Sequence, residues 1–283
     1  TLDVSTTYDI ATGQMTHTGA WSSAGLQRHY LSYTYDSFDN LKEMFVESLD
    51  GNSLVESSSE SYIYDDLHRL KTSTRQYANS TSDIIDYDYD AVGNIKLKSD
   101  HATSFTYGSL VRNASNGFAG PNAVRSITKA EGGATVEFEY DNNGNMLSGD
   151  GRTVAYNPFN KPTSISKNGT TSLFSYGADF SRFKQIKSKA SVDDLVTIYI
   201  DKMFEKITQG SKTEYKHYIG DVAIMTKTVE SGSTTEETVF VHRDRLGSVV
   251  TVTDSNGELE DNKSFDPFGK PRKANLESGG NTL

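Results

Sequence analysis

A Tyr-Asp pair returns along this chain at near-regular intervals, each time followed by a short polar stretch and an alternating polar/apolar run. Copies begin at Tyr8-Asp9, Tyr35-Asp36, Tyr64-Asp65, Tyr89-Asp90 and Tyr140-Asp141, with a degenerate copy at Tyr156-Asn157. The Tyr-to-Tyr steps over the first four copies are 27, 29 and 25 residues, and the next is 51, about two periods. A repeat of 20 to 50 residues points to an array of one supersecondary unit whose copies stabilise each other by stacking.

The unit has a local mechanism. In Asp90-Ala91-Val92-Gly93 an Asp opens a four-residue turn and a Gly closes it, the preference of a type I turn in which Asp accepts from nearby amides. The Gly supplies the left-handed backbone of the bulge that ends a three-to-five-residue hairpin. Asp141 and Gly144 repeat the arrangement. Asp39 and His68 stand in the Gly position of two other copies, and both tolerate positive φ better than most residues. Flanking runs such as Thr135–Tyr140, Asp83–Tyr89 and Leu195–Ile200 alternate as half-buried strands do. Leu41, Met44, Phe45 and Leu49 also fit helical spacing. The Asp50-Gly51-Asn52 turn that follows and the strand-like neighbours favour a strand there. The expectation is therefore an all-β chain of antiparallel hairpin repeats.

Composition agrees. Hydrophobic residues make up 35% of the 283, yet there are 16 Tyr and 13 Phe. Disordered chains have few aromatics and high net charge, whereas the net charge here is −10. Tyr buries a ring while keeping a hydroxyl for a polar partner, which suits thin sheets with one wet face. The acidic balance argues against a nucleic-acid partner, which wants a basic face. Without Cys, disulfides and thiolate chemistry are excluded. No run of 18 apolar residues would span a membrane. The N-terminus carries no signal segment and no Met, as expected of a fragment or processed product.

The C-terminal third carries a more specific pattern. Phe240-Val241-His242-Arg243-Asp244-Arg245-Leu246-Gly247-Ser248 is followed by Thr253-Asp254-Ser255-Asn256-Gly257. Then comes Phe265-Asp266-Pro267-Phe268-Gly269-Lys270-Pro271-Arg272. These segments resemble the His-x-Asp-x-Leu-Gly-Ser, Thr-Asp-x-x-Gly and Tyr-Asp-Pro-Phe-Gly-x-x-Arg signatures of the RHS/YD-repeat family. That family includes bacterial polymorphic toxins, the C components of insecticidal Tc toxins, and teneurins. Tyr199 to Lys206 resembles the strand that precedes this block.

The resemblance implies a β-ribbon coiling into part of a hollow shell. Residues 1–180 would form the YD-repeat ribbon and 181–283 the associated core region, with 274–283 as a loop. It further implies a secreted or cell-surface bacterial protein whose partners are an effector domain held inside, the remaining shell segments and delivery-apparatus proteins. The expected role is encapsulation. A cell-surface adhesion or carbohydrate-binding module is the alternative. Many members also carry an aspartyl protease that cuts beyond the block seen here. Its segment is absent, Asp266-Pro267 belongs to the preceding turn, and no catalytic residue carries over.

Other chemistry weighs little. On a strand His242 and Asp244 would share a face, but no ligand-spaced His or Asp accompanies them for a metal, and a structural pair is expected. Asp65-Asp66 and Asp193-Asp194 are adjacent, so each pair points to opposite faces and cannot flank a glycosidic bond. Neither a Gly-x-Ser-x-Gly elbow nor a phosphate loop occurs. Four Asn-x-Ser/Thr triplets matter only in a eukaryotic secretory route. The expectation is a structural chain with no catalytic, metal or cofactor site.

Overall fold

The computed structural model, which describes residues 2–22, 25–50 and 52–273, is all-β apart from one 3-10 turn at Ala114–Asn116. Contacts divide the chain into two compact units. One comprises Thr1–Asp86, Ile219–Met225 and Glu237–Leu283, the other Tyr87–Tyr218 and Thr226–Glu236. The expected C-terminal loop, 274–283, lies outside the described residues, as does Gly51 of the expected Asp50–Asn52 turn.

The first unit opens with β1 (Leu2–Tyr8), β2 (Met15–Ser22), β3 (Gln27–Tyr35), β4 (Leu41–Asp50), β5 (Ser53–Tyr64) and β6 (Leu70–Tyr77). β7 (Ser82–Tyr89) belongs to it through Asp86. The second unit holds β8 (Ile95–Lys98), β9 (Ala102–Tyr107), β10 (Val124–Lys129), β11 (Thr135–Tyr140), β12 (Met146–Gly149) and β13 (Arg152–Tyr156). It continues with β14 (Pro162–Lys167), β15 (Thr170–Tyr176), β16 (Arg182–Lys189), β17 (Val192–Ile200), β18 (Phe204–Gln209) and, through Tyr218, β19 (Lys212–Ile219). β20 (Ala223–Glu230) and β21 (Ser233–Arg243) have residues in both units, and β22 (Val249–Thr253), β23 (Leu259–Phe265) and β24 (Pro271–Lys273) return to the first. From β1 to β19 each strand pairs antiparallel with its successor, and β21 to β24 do the same. Leu41–Asp50, whose spacing also fitted a helix, is strand β4, because pairing with both neighbours along its length overrides local propensity.

The hairpin turns follow the chemistry read from their residues. Asp90 Oδ1 accepts from Val92 N at 3.0 Å and Asn94 N at 2.8 Å. Gly93 N donates to the Asp90 carbonyl, and Gly93 sits at φ 93°. Asp141 repeats the pair of bonds with Asn143 and Asn145, and Gly144 has φ 87°. Where Gly is replaced, the backbone is still left-handed: Asp39 has φ 67° and His68 has φ 59°. Asn157 substitutes for Asp with the same two acceptor bonds, to Phe159 and Lys161. One further copy escapes a search for Tyr-Asp. In Gly177–Ser181 the backbone closes the same turn, Phe180 takes the left-handed position at φ 62°, and no side chain caps it from the first residue.

A second regularity lies at the strand ends. Each Tyr before the turn sits at a register shift: Tyr8, Tyr35, Tyr64, Tyr89, Tyr140, Tyr156 and Tyr176. These are β-bulges, which bend the strand and raise its twist. The Tyr hydroxyl then reaches the main-chain carbonyl that opens the preceding strand. Tyr35 donates to Met15 O at 3.0 Å and Tyr64 to Leu41 O at 2.8 Å. In the second unit Tyr107 donates to Ile95 O, Tyr140 to Val124 O, Tyr156 to Met146 O and Tyr176 to Pro162 O, at 2.8–3.1 Å. Met15, Leu41, Ile95, Val124, Met146 and Pro162 each face the Tyr of the previous copy in the ladder. Each of these six hydroxyls therefore fastens one repeat to the one before it. Burial pushes the Tyr140 hydroxyl above its ordinary pKa, so it stays a donor through neutral pH. Tyr140→Phe keeps the ring and removes the bond. A loss of about 1 kcal/mol is expected, read as faster amide exchange in β10 and β11, while Tyr8→Phe, whose ring is exposed, should leave exchange unchanged.

In the second unit Asp150 gathers three cations: Lys129 at 2.6 Å, Lys167 at 2.9 Å and Arg152 at 3.4 Å. The bonds from Lys129 and Lys167 hold its carboxyl down to about 2. A carboxylate with a depressed folded pKa stabilises above the unfolded value near 4, and the effect is lost as pH falls through the folded value. The hub is partly solvated, so screening reduces its worth to about 1 kcal/mol. Asp150→Asn is expected to cost that amount at pH 7 and only a small fraction of it at pH 2, as a difference in urea midpoints.

Candidate functional site

Among the described residues, buried polar and charged side chains outnumber buried apolar ones, 17 to 13, so the interior must be judged by its hydrogen bonds. The alternation of β5 and β6 explains its character. Their inward faces present Glu56, Ser58 and Glu60 on one strand and Ser73, Arg75 and Tyr77 on the other.

These side chains meet the C-terminal hairpins of the same unit. The Arg75 guanidinium pairs with Glu56, donates to Ser264 at 2.6 Å and to Ser58 at 3.2 Å, and lies 5.0 Å from the Tyr77 ring. The other Glu56 oxygen accepts from Asn262 Nδ2 at 2.8 Å. Asn262 Oδ1 takes the Thr251 hydroxyl at 3.2 Å and that of Ser48 at 3.3 Å. Glu60 is paired with Arg272, whose Nε also donates to Ser264. Arg28 pairs with Glu258 at 2.7 Å. Burial pushes the Glu56 carboxyl up, against the pull of Arg75 and Asn262. The Glu60 pair raises Arg272 despite its burial, so the guanidinium stays charged.

Beside this network lies an apolar cluster of Leu31, Tyr33, Leu41 and Val250, with Met44, Val46, Tyr62 and Phe265 packed on it. A partly open cavity of about 290 Å³ adjoins the cluster. It is lined by Tyr33, Tyr62 and Leu70 and by residues of the turns at Asp244–Ser248 and Asp266–Gly269. Tyr33 accepts from Arg245 N at 3.2 Å, fixing the first of those turns against β3.

The motif residues take mainly turn positions. Tyr89 and Tyr140 end strands, and Asp90, Gly93, Asp141 and Gly144 build the turns described above. Asp244 Oδ1 accepts from Leu246 N and Ser248 N, both at 2.8 Å, with Gly247 at φ 85°. Asp254 does the same with Asn256 and Glu258, and Gly257 is also at φ 85°. Asp266 caps Phe268 and Lys270, Pro267 occupies the second turn position, and Gly269 has φ 81°. Arg272 alone among them enters the charge network. His242 and Asp244, expected on one face of a strand, are not together. A bulge between His242 and Arg243 breaks the alternation, so the His242 ring turns inward to Thr253 at 3.0 Å while Asp244 caps a turn.

Sequence reasoning did not single out Glu56, Arg75, His29 or Asn262. The signal was present only as period-two placement of Arg75 between Ser73 and Tyr77, and its partners lie 19 and 189 residues away.

No protein-family model matches the chain, and no curated protein does. Among solved structures, the chain is similar to one in "Crystal Structure of TcdB2-TccC3-TEV". The TM-score is 0.54 at 12% identity, over 95% of this chain and 17% of that one. It also aligns with a chain of the Photorhabdus luminescens Tc holotoxin pore carrying the TccC3-D651A mutation, at TM-score 0.37 and 14% identity, over 95% of this chain and 18% of that one. The chain thus spans under a fifth of the length of these relatives. The first alignment establishes a Tc-toxin-like fold.

Proposed function

We propose that this chain is a wall segment of a secreted bacterial toxin of the RHS type, one stretch of a β-shell that encloses an effector. The observation that carries this reading is the succession of antiparallel hairpins in a chain that aligns over 95% of its length with a TcdB2-TccC3 chain. The buried acids support a structural role over a catalytic one, because Glu56 and Glu60 are each held by an arginine. The partners are the remaining shell segments, the enclosed effector and delivery components, and the place of action is outside the producing cell.

Small-angle scattering on the purified chain tests this. A wall segment scatters as a thin sheet at intermediate angles, with a radius of gyration well above the roughly 19 Å of a filled 283-residue domain. A radius near that value with globular fall-off would sink the reading. The Phe159 and Phe180 rings lie 4.7 Å apart, tilted by 57°, on exposed turns. Saturable glycan binding abolished by exchanging both would instead assign the chain to surface recognition.

A further inference from the structure

His29 and His242 face each other inside the first unit, their ring centroids 6.0 Å apart, with 1% and 6% of their surfaces exposed. The hydrogen-bond chain fixes the protonation of His29. Asn262 gives its amide N–H to Glu56, so its Oδ1 is the acceptor for the Thr251 hydroxyl. The Thr251 oxygen, having spent its proton, accepts from His29 Nδ1 at 2.9 Å. His29 is therefore the Nδ1–H tautomer, and Nε2 is a bare lone pair. That atom is buried without a hydrogen-bond partner. A buried base of this kind is rare, because burying an unsatisfied polar atom costs free energy.

Among the described residues no hydrogen bond or ion pair joins His29 to a carboxylate, and of the charged groups that line the same cavity (Glu56, Asp244, Arg245, Lys263 and Asp266) Asp244 and Asp266 are engaged in capping their own turns. The neighbours of His29 in the ladder are Ala20 on β2 and Ser48 on β4. From β21 comes His242, from β22 Thr251 and Thr253, and from β23 Asn262. The nearest carboxylate in the chain of bonds, Glu56 on β5, is engaged by Arg75 and Asn262. On β3 itself, Arg28 is a cation paired with Glu258.

We propose that the His29–His242 pair is an acid-sensitive latch: neutral, it joins β3 to the C-terminal strands β21–β23, and a proton on His29 Nε2 drives the two layers apart. Desolvation and the neighbouring His242 depress the His29 pKa from 6.5 to about 3, and desolvation lowers His242 as well. The sign follows. A base whose folded pKa lies below its unfolded value is fully stabilising above about pH 6.5 and progressively destabilising below it. From pH 7 to pH 5 the local opening constant rises by about 25-fold for His29 alone, and further with His242. Glu56, whose pKa burial raises, acts in the opposite sense, and because it is present in wild type and histidine variant alike, the difference between the two proteins reports the histidines.

The test is amide hydrogen exchange of β3 and β22 on the whole chain at pH 7 and pH 5, corrected for intrinsic rates. Between pH 7 and pH 5 the opening constant of the wild type is expected to rise at least about 25-fold more than that of the His29→Gln/His242→Gln double variant. Equal pH dependence in both proteins overturns the latch. A wild-type measurement stands even if that variant does not fold: the C2–H resonance of His29 should not titrate between pH 8 and pH 5 in the closed form. A midpoint near 6.5 for His29 overturns the proposal.

Discussion

Replacing Arg75 with Met is expected to destabilise the first unit by about 3–5 kcal/mol. The guanidinium is 2% exposed and serves Glu56, Ser58 and Ser264 at once. Removing it leaves a carboxylate that is 1% exposed without its counter-ion, and stranding one member of a buried pair costs about that much. The pair itself is worth far less, because desolvating both charges offsets most of their attraction. Arg75→Met combined with Glu56→Leu is therefore expected to recover more than half of the loss. Trp21 on β2 is the chain's one Trp and lies in this unit, edge-on to Tyr30 at 6.5 Å. Its fluorescence in a urea titration reports the first unit directly. Single and double variants of equal stability would show that Glu56 is not held as an anion by Arg75.

The second unit should be most sensitive at Gly108. A Cβ there would stand 2.0 Å from the Ala119 carbonyl oxygen and 2.3 Å from its carbon. These are main-chain atoms of a buried residue, and the loop is tied at the same place by Gly108 N to Ala123 O and Ser109 N to Ala119 O. No rotamer change relieves the clash, so Gly108→Ala is expected to cost about 3 kcal/mol, measured by exchange at the Tyr107 and Tyr140 amides. Gly120→Ala, in the same loop, meets only the Arg112 guanidinium at 3.2 Å, a tip that can swing away, and should cost under about 1 kcal/mol. If the two variants behave alike, the close approach at Ala119 does not govern the loop.

Particular residues explain how much of this was legible in advance. Asp90 and Gly93 announce their turn because all the bonds they make lie within four residues, and Asp39 and His68 could be placed as Gly substitutes from backbone tolerance alone. Gly177 could not be found that way, because the first residue of its turn has no side chain to cap it and the capping carboxylate comes instead from Asp179, two residues on. The Tyr residues revealed a need for a polar partner but not its identity, since Val124 O or Pro162 O becomes the acceptor only through register. Simple alternation failed at His242, where one bulge reverses the facing of everything beyond it. Arg75, Glu56 and Asn262 find each other across as many as 206 residues, a distance no local pattern reaches.

The tyrosine bonds have a consequence for how such a chain can change length. Each hydroxyl is indexed to the opening residue of the preceding strand, like a pawl that engages one tooth per turn of a screw. The far ends of the hairpins take no part in this indexing, so the step from tooth to tooth is decoupled from the length of the thread between teeth. The copies of 27 and 29 residues that end at Tyr35 and Tyr64 can then advance by the same step. Insertions should be absorbed at the hairpin ends away from the tyrosines, and a residue added between a tyrosine and its following aspartate should put every later tooth out of phase.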